Sequence, residues 1–198
     1  MRMKMMAVAV LVCGLCASGV AQTAAVTKVD PAKSMDALLS GLEKELVPLV
    51  EAMPAESYDF APSAEFFKNL GPEYKGVRTF GQMVGHIVQA NYFSFLTAEG
   101  KTMQQAPPEI MSAMQGAPKL KTKAELVQAM KDSFAFGHAA AATLTVENAW
   151  DHAGRGATDT RAGYLASAVA HGRDHYGQLV EYLRMTGKIP PASEPAKK

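Results

Sequence analysis

The chain has 198 residues, and its 20 Lys+Arg against 19 Asp+Glu leave a formal net charge of +1, so no broad basic surface is available for nucleic acid. At 48% hydrophobic and 20% charged, with 16 Gly and 11 Pro, the composition excludes disordered, collagen-like and fibrous chains. One globular domain with a real core is expected.

The first residues form a short basic stretch, Met1-Arg2-Met3-Lys4, then an apolar run from Met5 to Leu15 and small residues at Ala17-Ser18-Gly19-Val20-Ala21. This is the layout of a secretory signal peptide, and the run is too short to cross a ~30 Å hydrocarbon core comfortably. Cleavage is expected after Ala21, giving a secreted or periplasmic protein with no further span and no stable membrane association. An uncleaved anchor is the alternative. Lipoprotein processing is disfavoured because Leu15 precedes Cys16 and Val12 precedes Cys13, where a small residue is needed. Both cysteines leave with the signal, so the exported chain has no disulfide, thiol nucleophile or thiolate ligand. Losing Arg2 and Lys4 takes the 20 basic residues to 18 against 19 acidic, a formal charge of −1.

A polar leader over residues 22–33 precedes the first helix signals at Ser34, where Leu38, Leu39, Leu42, Leu46, Leu49 and Val50 recur at three- and four-residue steps. Pro48 predicts a kink or early stop around Val47, and Met53-Pro54 closes the segment. Ala55 to Gly76, with Pro62, Gly71 and Pro72 among aromatics, reads as a long loop. Thr79 and Gln82 have capping-box spacing and open a second helix running to about Ala98. Gly100, Pro107-Pro108 and Pro118 mark a connector. Thr122 and Glu125 repeat the capping box ahead of a third helix that ends near Thr145. A Gly-rich linker, Asp151 to Ala157, leads to a fourth helix, Thr160 to Thr186, which Gly187 and Pro190-Pro191 stop. The expected fold is all-α: a four-helix bundle over residues 34–191 with long connections, so that up-down-up-down order is not assured, and a flexible tail over 192–198.

His171 and His175 are spaced i and i+4, which sets their rings on one helix face about 40° apart. Two imidazoles there can grip one metal ion beside the apolar stripe of Leu165, Val169, Gly172, Tyr176, Leu179 and Leu183. With five His in the chain, such a pair also arises by chance, and a core-edge or surface role is the competing reading. Gly172 follows His171 where a zincin helix carries glutamate, which disfavours a metalloprotease of that type. His86, beside the Met83 and Ile87 stripe of the second helix, is the natural third ligand. Three imidazoles leave positions open for water or substrate, as catalytic zinc sites do, and suit zinc, nickel, iron or copper.

The run from His171-Gly172-Arg173-Asp174-His175-Tyr176 through Gly187-Lys188-Ile189-Pro190-Pro191 resembles the C-terminal signature of the DinB-like (YfiT-type) metalloenzyme family. Met53-Pro54-Ala55-Glu56-Ser57-Tyr58-Asp59-Phe60, and Val77-Arg78-Thr79-Phe80-Gly81-Gln82 through His86, resemble that family's first-loop and second-helix motifs in the same order. The resemblance covers about residues 34 to 191. It implies a four-helix bundle whose second-helix His and fourth-helix H-x-x-x-H pair, here His86, His171 and His175, bind a divalent metal, often zinc or nickel. It also implies relatives that include thiol-cofactor-dependent transferases and an isomerase, and members that commonly pair into homodimers. An export signal departs from the cytosolic pattern of those thiol-dependent relatives.

A three-His ion would act as a Lewis acid, lowering the pKa of bound water or thiol or polarising a carbonyl. The expected function is therefore a metal-dependent enzyme of hydrolase or thiol-transferase character acting on a small molecule, with a non-catalytic metal-binding or stress-related interaction protein as the alternative. A structural bundle with incidental histidines comes third. Asp174, Asn91, Gln178 and Tyr176 are candidates for groups that hold the ligands in place, although surface contact for Asp174 and packing for Tyr176 compete. His138 is expected at a helix interface and His152 on an exposed loop. Trp150, Tyr58, Phe60, Phe66 and Phe67 are expected in the core, with a pocket over the metal as the alternative. Lys119, Lys121 and Lys123 are expected to form a solvated turn.

Overall fold

Asp30 begins the first helix, α1 (Pro31–Ala52), by accepting the Ala32 backbone N–H at 3.0 Å, and Pro31 takes the first helical position where its missing N–H costs nothing. The helix therefore starts inside the stretch expected as a leader. It also runs through Pro48 to Ala52, without the early stop expected around Val47. The lost hydrogen bond and ring clash cost about 3 kcal/mol. Leu46, Val47, Leu49 and Val50, on both sides of the proline, are buried, and at ~1.5–3 kcal/mol each their packing outweighs that cost.

The computed structural model describes residues 28–63 and 76–195, and the segment expected to be a signal peptide, Phe66, Phe67 and the last residues of the tail lie outside them. Five α-helices, not four, occur among the described residues, joined by short 3-10 turns, and the one β feature there is an isolated antiparallel bridge of His152 with Thr160. None of these helices is long and apolar enough to cross a membrane. The second, α2 (Phe80–Ala98), is opened by its capping box: the Gln82 N–H donates to Thr79 Oγ1 at 3.2 Å and the Thr79 N–H to Gln82 Oε1 at 2.9 Å. Thr122 and Glu125 do the same for α4 (Lys123–Ala142). Thr160 caps α5 (Arg161–Met185), which ends at Gly187 in the left-handed region, φ 77°, as its sequence signals require. The unexpected helix is α3 (Pro108–Gly116), inside the connector. Pro108 at its first position and Glu109 in its first turn favour it, and Met114 buries it against α2.

Contacts between side chains fix the helix directions. Asp36, early in α1, meets His138, late in α4, while Glu51 at the end of α1 meets Lys131, so α1 and α4 are antiparallel. Leu42 lies against Gly172 and Met53 against Thr186, so α1 and α5 run parallel. Arg161, at the start of α5, donates from Nε to the Ala98 carbonyl at the end of α2 at 2.7 Å, so α2 and α5 are antiparallel. The order of the four long helices is thus up, down, down, up, with α1 and α2 each packed on both α4 and α5. Their shared core holds Leu39, Leu46, Phe80, Phe95, Met130 and Phe134, all fully buried. Close approach depends on two glycines. A Cβ on Gly137 would lie 2.6 Å from Phe95 Cε2 and 2.8 Å from Leu39 Cδ2, and one on Gly172 would overlap Leu42.

Trp150 and Lys123 take roles the sequence did not predict. Trp150 is 75% exposed, because it sits in the turn region after α4 beside exposed Val29 and Val146 instead of between helices. Tyr58 is buried as expected, edge-on to Phe80 with its hydroxyl donating to the Val50 carbonyl at 2.7 Å, and Phe60 packs edge-on to Tyr182. Lys119 and Lys121 are solvated, but Lys123 is not part of a free turn. Its Nζ donates to the Glu51 and Met53 carbonyls at 2.6 and 2.9 Å, closing the C-terminal end of α1. His152 is exposed on its loop.

His138 ties α4 to α1, with Nδ1 2.6 Å from Asp36 Oδ1 and Nε2 3.1 Å from Glu43 Oε2. Partial burial pushes its pKa down, but the hydrogen bonds to both carboxylates outweigh this and raise it above 6.5. The stabilisation is thus complete below the unfolded value of 6.5 and is lost as pH rises through the raised folded value. Thermal melts of the wild type and His138→Leu should differ most in mildly acidic buffer, by about 1 kcal/mol for a half-exposed pair, and converge at alkaline pH. A constant difference across pH would contradict a charged clamp.

Candidate metal centre

The buried stripe of α2, Phe80, Val84, Ile87 and Val88, leaves His86 at its edge, half-buried and turned toward α5. On α5 the i,i+4 spacing stacks half-buried His171 over buried His175, with ring centroids 4.4 Å apart. The antiparallel packing of α2 and α5 brings the three rings together across 85 residues of sequence. His171 Nε2 is 3.2 Å from His86 Nε2 and 3.0 Å from His175 Nε2, and one ligand atom from each residue lies within 4.8 Å of the others. Three nitrogens bound at ~2.0–2.1 Å to one tetrahedral ion would be roughly 3.3 Å apart. The two closest pairs already have nearly that spacing.

Hydrogen-bond polarity identifies the proton on His175. The Gln178 amide nitrogen donates to Asp174 Oδ2 at 3.3 Å, which turns Gln178 Oε1 toward His175 Nδ1 at 3.0 Å. An amide oxygen only accepts, so Nδ1 carries the hydrogen and Nε2 presents its lone pair to the other rings. His171 Nε2 has one lone pair or one hydrogen to offer two neighbours, so the three nitrogens cannot all satisfy one another. A cation among them resolves the conflict, and the donor set fits one.

The electrostatics also favour neutral rings. Burial, the Arg78 charge and the other two histidines together bring His86 from 6.5 down to about 4. Burial, His175 and Arg78 lower His171 as well, against the opposing pull of Asp174. At neutral pH both imidazoles are therefore unprotonated, the state that ligates.

Of the supporting residues read from sequence, Asp174 and Gln178 do reach the cluster, through His175. Asn91 does not. It is buried on the α4 side of α2, where its Nδ2 donates to Ser133 Oγ at 3.0 Å. Tyr176 is half-buried and packs against the core. Two features escaped the sequence reading. Gly85 has no room for a Cβ, which would meet the Ala117 carbonyl oxygen at 2.7 Å, and this lets the turn after α3 cross α2 beside His86. A pocket of about 370 Å³ results, with Phe93, Met103, Met114 and His86 among its walls. The second feature is exposed Arg78, which borders a cleft of about 710 Å³ on the side of Gln178. Its signals in the sequence were its position directly before the Thr79 cap and its place in the motif over residues 77–82, neither of which assigns it a role.

No curated protein matches the sequence. A family model described as the DinB superfamily matches residues 38–179. The matched span covers well over half of the chain and carries all three converging histidines and the capping boxes of α2 and α4. On that extent of agreement, the chain belongs to the DinB superfamily.

Proposed function

We propose that this protein is an exported divalent-metal enzyme of the DinB superfamily, a four-helix bundle of α1, α2, α4 and α5 with α3 as an added wall, whose ion is held by His86, His171 and His175. The observation that carries this reading is the convergence of three ring nitrogens, two pairs of them 3.0 and 3.2 Å apart, from two helices distant in sequence. Neutral imidazoles favour zinc or nickel over hard ions such as magnesium or calcium. An ion held there would supply Lewis-acid chemistry, activating a water or thiol or polarising a carbonyl, which fits hydrolysis or thiol transfer. The chain's own contribution is orientation: Gln178 and Asp174 fix the tautomer of His175, and burial keeps His86 and His171 unprotonated. The apolar pocket beside His86 would take the non-reacting part of a small substrate and exclude water from it.

Protein purified without a polyhistidine tag is expected to carry about one zinc or nickel per chain, measured by elemental analysis. Metal-free protein that takes up neither ion would end this reading. Hydrolysis or thiol conjugation by the loaded protein should stop on chelation and return with the metal, whereas activity indifferent to chelation would favour a non-catalytic role for the site. Intact mass of the exported form should begin at Gln22. Gln178→Leu, which removes the partner of His175 Nδ1 without touching a ligand, should weaken metal binding by ~10–100-fold. Unchanged affinity would show that the Asp174–Gln178 chain does not hold the ring.

A further inference from the structure

Arg78 is a cation at the mouth of the site that metal binding does not use. It stands directly before Thr79, the cap of α2, and its backbone is anchored because its carbonyl accepts the Tyr182 hydroxyl at 3.2 Å. With Val77, Met83, Gln178 and Tyr182 it walls the 710 Å³ cleft. Two residues of its wall connect it to the histidines: Gln178 contacts His175 at 3.0 Å, and Met83 lies about one helical turn before His86. Three other arginines are engaged, Arg173 with Glu45, Arg184 with Glu181 and Arg161 with the Ala98 carbonyl, and Arg155 lies exposed in the loop before α5. Among the described residues no carboxylate pairs with Arg78. Its charge nonetheless reaches His86 and His171, where it opposes protonation.

The charge balance of the cleft follows. A divalent ion held by the three histidines would add its positive charge to that of Arg78. The acid that acts on His171 is Asp174, and its carboxylate already accepts from Gln178. Among the described residues that line the cleft, Arg78 is the one charged side chain. A guanidinium presents a planar fork of N–H donors that matches a carboxylate in a bidentate pair, which a lysine cannot reproduce.

We propose that the cleft binds a small carboxylate-bearing substrate, with the carboxylate on the Arg78 guanidinium and the reacting group directed at the three histidines. Arg78 is then the specificity-determining residue of the site. The inference rests on the reading above for what lies at the head of the cleft, but the contact between Arg78 and the carboxylate does not require the ion.

The test titrates the purified, nitrogen-15-labelled protein, metal-free and zinc-loaded, with 3-mercaptopropionate and with its methyl ester, which lacks the charge. Arginine Nε–Hε resonances report binding, and Arg78→Ala assigns the signal. Wild type should bind the acid at least about tenfold more tightly than the ester, the discrimination expected of one charge-assisted pair. The preference should vanish in Arg78→Ala and be only partly kept in Arg78→Lys. Equal affinities in wild type, an undisturbed Arg78 signal, or an acid preference that survives Arg78→Ala would each overturn the proposal. Zinc uptake measured on the same samples separates the two ideas. Loss of zinc binding with an Arg78-dependent acid preference intact would sink the metal reading alone, and zinc binding without that preference would sink this inference alone.

Discussion

Replacing His171 with alanine is expected to lower metal affinity by more than about a hundredfold, since losing even a group that merely orients a ligand costs ~10–100-fold. His171 is the central ring: its Nε2 is the atom that lies 3.2 Å from His86 and 3.0 Å from His175. Without it, the two remaining imidazoles give an ion too few ligands to survive dialysis. Competition with a chromophoric chelator measures the affinity, and metal analysis gives the stoichiometry. The fold should survive, because position 171 is half-buried in the middle of a 25-residue helix and alanine is a strong helix former. Metal-free wild type and His171→Ala should therefore melt together. Adding metal at 100 times its dissociation constant should raise only the wild type, by about 2.7 kcal/mol or roughly 5–10 °C. A variant that kept stoichiometric metal would refute the three-His site.

The largest loss of stability is expected from Phe95→Ala, about 3–5 kcal/mol. Phe95 is fully buried, and its ring edge fills the space over Gly137 next to Leu39, where α1, α2 and α4 meet. Neither neighbour can collapse into the vacated volume, because Gly137 has no side chain and Leu39 is itself held in the core. A fall in melting temperature of roughly 6–20 °C follows for a domain of this size. His86 lies more than two turns away along α2, so metal stoichiometry should hold at temperatures where the variant is folded. A cost below about 1 kcal/mol would mean that the junction relaxes and that Gly137 does not set its spacing.

The helices opened by Thr79 with Gln82, Thr122 with Glu125 and Thr160 were legible because a cap is a local chemical event, complete within four residues. The histidine pair was legible for the same reason, since four residues on a helix amount to one face. Features decided by distant packing were not legible. α3 is only nine residues long and begins with prolines, so its short apolar pattern reads as a connector until α2 covers Met114. Pro48 breaks a local rule that burial on both sides of it overrides. Lys123 looks solvated until the end of α1, some 70 residues earlier, arrives at its amine. Arg78 and the Asp174–Gln178 chain become meaningful only when α2 and α5 are laid side by side.

Gly172 constrains the chemistry as well as the packing. One residue along a helix is a turn of about 100°, so the position after His171 faces away from the rings and into the aliphatic seam with Leu42. In an H-E-x-x-H helix the residue at that position is the general base. Here a glutamate would have to displace Leu42 and bury a carboxylate among hydrocarbon, so this scaffold forbids the protease solution sterically as well as by sequence. A general base at position 172 is therefore excluded by the same close contact that lets α1 and α5 pack together.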